Sequence, residues 1–281
     1  MKRIKHSRVR RRKSLLLIPM VLAMIWCLIP LYVMVVGAFK PSVALSLLPA
    51  DLNPFTNLRL DNIVDVIKSS NMGLAFRNSL IISIGTVVIT VVIGMTAGYA
   101  FAKREFWGKK IWFVVLLITM MLPNQVMLIP KYTVANNFGL TNHLYGVVFT
   151  SINAAYGIFL CRQFIGSISD ELLAASRLDG CSEFQSFWHV VLPLSTPVMA
   201  SLAIFTFINS WNDFVWQNIM LSKTALRTVP LALKFLSQNT EANTLALQFA
   251  GATLSAVPMI LFFLFFQKYF IKGIGDGALK S

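Results

Sequence analysis

Charged side chains are scarce in this chain. Only 13% of its 281 residues are Asp, Glu, Lys or Arg, whereas about 25% is usual in a soluble domain. Hydrophobic residues make up 56%. So little charge cannot cover the surface of a soluble fold of this length. The composition therefore excludes an ordinary soluble protein and predicts one whose solvent is largely lipid.

Cysteine and histidine are also sparse, with three of each. The cysteines form no CxxC pair, and the histidines are isolated from one another. Disulfide frameworks and zinc sites need closely spaced groups of these residues. No GxxxxGK[ST] phosphate-binding loop occurs in the sequence either. We therefore expect no metal site, no bound cofactor and no ATP hydrolysis by the chain itself.

Acidic residues number 11 against 25 basic ones, which gives a net charge of +14. In a soluble protein this excess would indicate binding to nucleic acid. Here the basic residues lie mostly in short segments between long apolar runs. That distribution is typical of charge that sets membrane topology, so we expect no nucleic-acid partner.

Six apolar runs approach the length of about 20 residues that a membrane-spanning helix needs. Several contain Pro or Gly, which membrane helices tolerate because neighbouring helices satisfy the freed backbone groups. The pattern predicts an all-α polytopic membrane protein with six transmembrane helices. The predicted spans are Leu15–Ala38, Leu80–Ala102, Ile111–Pro130, Leu144–Leu160, Leu194–Trp216 and Leu247–Phe266.

The flanking charges predict the orientation. With alternating spans, 17 of the 25 basic residues fall on one side and 8 on the other. Because cytoplasmic flanks are the more basic, both termini should be cytoplasmic. Residues 1–14 then form a basic cytoplasmic leader, 39–75 an external segment and 268–281 a cytoplasmic tail. A basic leader before an apolar run also resembles a signal peptide, but no small-residue cleavage site follows, so we interpret 15–38 as a retained helix.

The longest predicted internal loop, residues 162–193, does not have the composition of a loop. Ser169, followed by two acidic residues, is typical of a helix start. Asp179-Gly180 ends that helix, and Ser182 can cap a second short one that carries Phe184 and further aromatics on one side. Pro193 then begins the next span. The loop therefore predicts a helix–turn–helix unit on the cytoplasmic membrane face.

Two interpretations of this unit remain open from the residues alone. Its small and aromatic residues are suited to docking a soluble partner. Alternatively, the unit packs beneath its own helical bundle and binds nothing.

The same residues resemble a known family. Ala174-Ala-Ser-Arg-Leu-Asp-Gly180, with Leu192-Pro193 downstream, is similar to the EAA loop of the permease subunits of bacterial binding-protein-dependent ABC importers. The Asn78-Ser79 pair, the Ser210–Phe214 stretch and the Lys268–Lys280 tail also resemble sugar permeases of the maltose-transporter type, in particular the second, six-helix subunit. The resemblance covers nearly the whole chain.

The resemblance implies a type I ABC importer permease fold, with a transmembrane core over residues 76–267. It implies a second, different permease subunit, two ATP-binding cassette subunits that hold ATP and Mg, and an extracytoplasmic sugar-binding protein. The chain itself would be a non-catalytic multi-pass subunit of the bacterial inner membrane. Its cargo would be a carbohydrate, with a polyol or a glycerophosphate also possible.

The resemblance also implies which residues couple the chain to the ATPase subunits. The family's glutamate falls on Ala174 and its second alanine on Ser176, so Glu171, one turn earlier, is the nearest glutamate. Either Glu171 replaces that contact or the contact is weaker. The expected coupling residues are Glu171, Ala174, Ala175, Ser176, Asp179, Gly180, Phe184 and Pro193.

Polar and aromatic residues near the end of the fifth predicted span are possible substrate contacts. An ionisable residue within a span usually faces a cavity or a partner, and a sugar offers both hydroxyls and an apolar ring face. Alternatively, Asp213 lies at the outer water interface and the tryptophans belong to the interfacial belt. Two asparagines in the third and fourth spans line the pathway or bond neighbouring helices. The residues concerned are Asn209, Trp211, Asn212, Asp213, Asn124 and Asn153.

Two other classes of function remain as alternatives. A gradient-driven secondary transporter or channel subunit would need ionisable relays within its spans, and only Asp213 qualifies. An intramembrane serine protease would need a nucleophile paired with a base, and no histidine lies within a predicted span.

Overall fold

The computed structural model describes residues 2–41, 52–69, 71–238 and 245–278. Within these residues all regular secondary structure is helical, as the composition predicts. A π-helical turn (Phe187–Val191) and a 3-10 turn (Thr224–Leu226) interrupt the α-helices. The α-helices are α1 (Lys2–Ala38), α2 (Asp61–Ser69), α3 (Met72–Lys103), α4 (Lys109–Met121), α5 (Leu128–Asn137), α6 (Leu144–Thr150), α7 (Ala154–Gly166), α8 (Asp170–Leu178), α9 (Glu183–Ser186), α10 (Leu192–Leu194), α11 (Thr196–Asn212), α12 (Val215–Met220), α13 (Val229–Gln238) and α14 (Leu245–Ala278).

Three of these helices are long and apolar enough to cross a membrane by themselves. They contain Leu17–Ala38, Met72–Lys103 and Leu245–Lys268. Two further spans form if α6 is joined to α7, and the segment Glu183–Leu194 to α11. The first, second and sixth predicted spans therefore lie on continuous helices. Helix α3, which contains the second predicted span, begins at Met72, whereas we predicted a start at Leu80.

The third predicted span is not one helix, so the prediction of a continuous helix over 111–130 is wrong. Helix α4 ends at Met121 after 13 residues, about 20 Å at 1.5 Å per residue, whereas the hydrocarbon core is about 30 Å thick. Leu122 is extended, with φ −74° and ψ 125°. Pro123 explains the break, because its ring disfavours helical geometry in the preceding residue.

The fourth and fifth predicted spans are bent. Helices α6 and α7 meet at 50° across residues 151–153, and α10 and α11 lie on two segments that meet at 72° at Ser195. The fifth span also ends at Asn212, with a separate helix from Val215, instead of running to Trp216. Hydropathy detects apolar runs but not these changes of direction, because a bend leaves the composition unchanged.

The chain divides into two compact units, each described by itself. The first contains residues 1–71 and 233–255. In it, the Asn62 side chain donates to the carbonyl oxygens of Ala38 (2.9 Å) and Lys40 (2.6 Å). The Thr253 hydroxyl donates to the Met34 carbonyl at 3.3 Å. These bonds attach the end of α1 to α2 and to the beginning of α14.

The second unit contains residues 72–232 and 256–281, and α3 is its central helix. Helix α3 packs along α7 and α11. Gly98 permits the close approach to α7, because a Cβ atom there would lie 2.7 Å from the Cys161 Cβ. At the other end of α3, Asn78 donates to the carbonyl oxygens of Ala225 and Arg227 at 2.9 and 3.0 Å. The Asn-Ser pair of the sequence resemblance therefore fastens a segment almost 150 residues further along the chain.

Candidate functional site

A polar cavity of about 490 Å³ lies within the second unit. This volume is in the range of ligand sites, about 300–1,000 Å³. Three helix interruptions contribute to its wall: residues 122–127 between α4 and α5, residues 151–153 between α6 and α7, and residues 213–214 between α11 and α12. In a membrane protein, non-helical backbone is tolerated where it lines a cavity or is covered by protein. The lining residues are Thr86, Asn124, Gln125, Met127, Leu128, Lys131, Thr150, Ser151, Ile152, Asn153, Tyr156, Phe205, Thr206, Asn209, Ser210, Asp213, Val215 and Trp216.

The first two interruptions present side-chain amides to the cavity. Asn124 and Gln125 follow directly after Pro123 and are exposed. Asn153 caps α7, its Oδ1 accepting a bond of 3.5 Å from the Tyr156 backbone N–H. Amides both donate and accept hydrogen bonds, which suits them to hydroxyl-bearing ligands.

The third interruption is organised by Asp213. Its Oδ1 accepts a bond of 3.1 Å from the Trp216 backbone N–H, which caps the start of α12. Gln217, 1% exposed, donates to the Ser210 carbonyl at 2.8 Å and so joins the two sides of the break. The carboxylate of Asp213 is half-buried in the cavity wall. Asp213 is therefore both a helix cap and a charged lining group.

Lys131 places a positive charge in the same cavity. Its Nζ lies 4.1 Å from the centre of the Trp216 ring, within the range of a cation–π contact. The indole of Trp216 is fixed by its Nε1, which donates to the Thr150 hydroxyl at 2.9 Å. One cationic and one anionic side chain therefore line the cavity beside a fixed aromatic ring.

Of the six residues predicted for the substrate pathway, the structure brings four to the cavity: Asn124, Asn153, Asn209 and Asp213. Trp211 and Asn212 lie outside the lining. Trp211 is 1% exposed, with its ring stacked on Phe207 at 5.6 Å.

Asn212 donates to the Ile208 carbonyl of its own helix at 3.0 Å. The separation follows from helix geometry, because Asn209 and Asp213 are four residues apart and share a face that the two intervening residues do not.

Sequence reasoning missed Lys131, because it directly follows the third predicted span, Ile111–Pro130, and so fell outside the predicted helices. Lys131 lies in α5, the helix that Pro123 separates from α4. Its local signal is a lysine in the first turn of the helix that follows a proline break, and that signal is weak. Only the packing of α5 near α12 brings it to Trp216.

The predicted helix–turn–helix unit, residues 169–186, is confirmed as secondary structure. The Ser169 hydroxyl accepts from the Glu171 N–H at 3.2 Å and begins α8. Gly180 has φ +83°, which ends the helix in a left-handed turn. Ser182 and Gln185 form a capping box at the start of α9. Local capping signals in the sequence were therefore sufficient to predict this unit.

Most of the expected coupling residues lie on the exposed surface of this unit or just beyond it. Leu178 and Phe184 are 89% and 71% exposed. Leu178 is not among the expected coupling residues. Besides Phe184, the exposed members of the expected set are Glu171, Ala174, Ala175, Asp179, Gly180 and Pro193.

Ser176 differs from the other expected coupling residues, because it is buried within the unit. Its hydroxyl lies 2.9 Å from the Ser186 hydroxyl and donates to the Leu173 carbonyl at 2.9 Å. Ser176 therefore joins α8 to α9 and does not belong to the exposed face, contrary to our expectation. Its hydroxyl has partners inside the unit, which explains how serine is accommodated at this position.

The aromatic residues of the unit do not share one side. Phe184 and Trp188 are exposed and stacked, with ring centres 6.2 Å apart. Phe187 is 8% exposed and packs on Tyr99 of α3 at 5.2 Å. The π-helical turn from Phe187 explains part of the difference, because its wider repeat shifts the facing of the residues.

Lys103, in the last turn of α3, binds the beginning of the unit. Its Nζ donates to Asp170 Oδ1 at 2.7 Å and to the Ile168 carbonyl at 2.5 Å. The hydrogen bond and the positive charge of Lys103 lower the pKa of Asp170 from its ordinary value. Asp170 is exposed, so solvent screens the energetic effect of this pair.

Comparisons with known proteins agree with these features. The family model described as "Binding-protein-dependent transport system inner membrane component" matches residues 90–276. The arabinooligosaccharides transport system permease protein AraQ of Bacillus subtilis is 32% identical over 96% of this chain and 96% of its own length. The melibiose/raffinose/stachyose import permease protein MelC of Bacillus subtilis is 30% identical over 98% of this chain and 100% of its own length.

A solved structure has the same fold. It is the crystal structure of a bacterial ABC transporter that imports the acidic polysaccharide alginate. One of its chains matches with a TM-score of 0.79 at 21% identity, covering 92% of this chain and 97% of that chain.

The fold and these relatives define a polytopic permease subunit of an ATP-driven importer of the inner membrane. The chain belongs to the family of binding-protein-dependent transport system inner membrane components. This membership sets aside the gradient-driven transporter and the intramembrane protease.

Proposed function

We propose that this chain forms half of the translocation pathway of a carbohydrate importer, with the cavity at the three helix interruptions as its substrate-contacting part. The convergence of these interruptions carries the proposal. In membrane transporters, broken helices near a cavity supply backbone and polar side chains to a solute that lipid excludes.

The chemistry of the cavity suits a sugar. Amides of Asn124, Asn153 and Asn209 offer both donors and acceptors for hydroxyl groups. Tyr156, which is partly exposed, adds aromatic surface against which the apolar face of a sugar ring can pack. Asp213 and Lys131 contribute opposite charges, so the lining carries no net charge that would demand a charged cargo. Trp211 and Asn212 lie outside the lining and are not part of the proposed contact.

The exposed face of the helix–turn–helix unit is the proposed contact with an ATPase subunit. Glu171, Ala174, Ala175, Asp179, Gly180 and Phe184 would form that contact. Pro193 would set the direction of the following bend, and Ser176 would hold α8 to α9 from within. Leu178 and Phe184 support this role, because highly exposed apolar side chains on a polar surface are typical of binding sites.

The assembly that follows contains a second, different permease subunit, two ATPase subunits that bind ATP and Mg, and an extracytoplasmic binding protein. Both termini would be cytoplasmic, since most of the basic flanks lie on that side. Residues 1–14 and 268–281 would be cytoplasmic, 15–38 a first span, 39–75 external, and 76–267 the transmembrane core with its coupling loop at 162–193.

The relatives indicate which cargo to test first. AraQ and MelC are named for arabino-oligosaccharides and for melibiose, raffinose and stachyose. We therefore propose an oligosaccharide as the substrate class. Calorimetry of the cognate binding protein against arabinotriose, melibiose, raffinose, stachyose, a polyol and glycerol 3-phosphate would identify the cargo.

The proposed pathway is tested by uptake of the labelled sugar that this panel selects. Asn209→Ala and Asp213→Ala should each impair uptake, while the subunit still reaches the membrane and assembles. Asn212→Ala is the matched control, because it removes a neighbouring amide that lies outside the cavity. Wild-type uptake in both cavity variants would remove this cavity from the pathway.

A further inference from the structure

We propose that Glu183 is a positioning residue that transmits movement of the helix–turn–helix unit to α3, through Tyr99 and Arg104. This inference rests on the proposed function, in which an ATPase subunit moves that unit. It adds a connection within this chain, between the unit and the end of α3.

The contact is a three-residue cluster between α9 and the end of α3. The Glu183 carboxylate accepts hydrogen bonds from the Tyr99 hydroxyl and pairs with the Arg104 guanidinium. Arg104 Nη2 also donates to the Tyr99 hydroxyl at 2.8 Å, which closes the cluster. Arg177 of α8 lies 3.9 Å from the other Glu183 oxygen. Glu183 is thus held from α3 and from α8 together.

Packing fixes the geometry of this cluster. Tyr99 is 7% exposed, and its ring lies 5.2 Å from that of the buried Phe187. Arg104 also lies over the Tyr99 ring, with Cζ 5.4 Å from its centre. The side chains of Arg104 and Glu183 are 33% and 47% exposed, so the buried Tyr99 is the fixed member of the cluster and charge-assisted bonds attach the other two to it.

A second contact lies at the other end of the unit, where Lys103 binds Asp170 and the Ile168 carbonyl. Lys103 is itself 6% exposed in its side chain. Attachment at the beginning of α8 and at the beginning of α9 constrains the unit against rotation on α3. Movement of the unit therefore displaces the end of α3 as well.

The importance of this connection follows from chain connectivity. The unit is joined through the chain to α7 before it and to α11 after it, and both helices contribute to the cavity wall. Helix α3 contributes Thr86 to the same wall but is attached to the unit by side-chain contacts. Thr86 and Tyr99 are separated by 13 residues, about 20 Å of helix. The Glu183 cluster is therefore positioned to make α3 move together with α7 and α11.

The test uses the assembled importer with both permease subunits and the ATPase subunits. A reporter cysteine replaces Asn209 in a background without Cys27, Cys161 and Cys181, and its maleimide labelling rate is measured without nucleotide and after trapping with ATP and vanadate. Glu183→Gln should leave assembly intact. It should bring the ratio of the two labelling rates closer to one by a factor of at least about five, which is the lower end of typical allosteric coupling. Glu105→Gln is the matched control, because Glu105 is 91% exposed and pairs only with Lys109 among the described residues.

Two further variants distinguish transmission from simple loss of folding. Tyr99→Phe removes only the hydroxyl and should also bring the ratio of labelling rates closer to one. If Glu183→Gln does not assemble, Tyr99→Phe tests the proposed connection in its place. Exchange of the charges in Glu183→Arg with Arg104→Glu should recover part of the ratio. An unchanged ratio in Glu183→Gln, or in Tyr99→Phe where the former is absent from the membrane, overturns this inference. If the Asn209→Cys reporter importer with Glu183 intact shows no nucleotide-dependent labelling, the proposed function is contradicted instead.

Discussion

The ammonium group of Lys131 lies 4.1 Å from the centre of the Trp216 ring, although the two residues belong to different helices, α5 and α12. Asp213, which caps α12, lines the same cavity. Lys131 and Asp213 therefore place opposite charges on the wall of one cavity. The energetic coupling between the two side chains can be measured by mutating each of them alone and both together.

We expect Lys131 and Asp213 to act as a coupled pair. Lys131→Met and Asp213→Asn should each lower uptake, because each leaves one charge unbalanced in the cavity. The double variant should be impaired less than the two single effects combined, with a coupling of about 0.5–3 kcal/mol, as for other residues that interact. Strictly additive losses in a double-mutant cycle of uptake rates would show that the two charges act independently.

Helix α3 should not tolerate a side chain at Gly98. A Cβ atom there would meet the Cys161 Cβ at 2.7 Å and the Arg162 backbone nitrogen at 3.0 Å, so α7 would have to shift. We expect Gly98→Ala to destabilise the subunit by about 1–3 kcal/mol, the usual cost of overpacking. Thermal unfolding in detergent measures the change.

Gly73→Ala is the control for this substitution, because it lies in the same helix and its added Cβ would meet nothing within 4 Å. It should be neutral or slightly stabilising, since alanine favours helix over glycine by about 1 kcal/mol. Equal destabilisation by both variants would argue against the close packing of α3 on α7.

Substitutions at Gly180 should act through the backbone conformation of the turn and not through steric contact of the new side chain. Its φ is +83°, yet an added Cβ would meet nothing within 4 Å. Gly180→Val should disturb the turn, because a β-branched residue is strained at positive φ. We expect the subunit to remain in the membrane while substrate-stimulated ATP hydrolysis by the assembled importer falls.

Gly180→Asn tests whether backbone strain causes the loss of stimulation, because asparagine enters the left-handed region more readily than valine does. It should retain more stimulated hydrolysis than Gly180→Val. Gly166→Ala, which also meets nothing within 4 Å and has no positive φ, should behave as wild type. Unchanged stimulation in Gly180→Val would remove the turn from the coupling mechanism.

The Lys103–Asp170 contact should respond to pH with a definite sign. Lys103 lowers the pKa of Asp170 in the folded chain. A lowered carboxyl pKa stabilises the fold above the unfolded-state pKa, and that stabilisation is lost as pH falls through the folded-state pKa. The stability difference between wild type and Asp170→Asn should therefore be constant near neutral pH and shrink in acid. Thermal unfolding between neutral pH and about pH 3, below the ordinary aspartate pKa of about 3.9, would show whether it does.

Local sequence signals predicted the helix–turn–helix unit down to its caps. Ser169, Gly180 and Ser182 act through hydrogen bonds and backbone conformations that involve only the next few residues. Ser176 shows the limit of this reasoning. Resemblance placed it among the docking residues, whereas its bond to Ser186 depends on how α8 folds back on α9.

The sequence by itself determined that this chain is a helical membrane protein, where its apolar runs lie, and which family it resembles. Hydropathy, capping and turn residues are properties of short segments, so they can be read without knowing what surrounds them. Only the tertiary structure decided that three helix interruptions meet around one cavity, that Lys131 joins it, and that Trp211 does not. These facts depend on contacts between residues far apart in the chain, which one sequence does not encode in any local pattern.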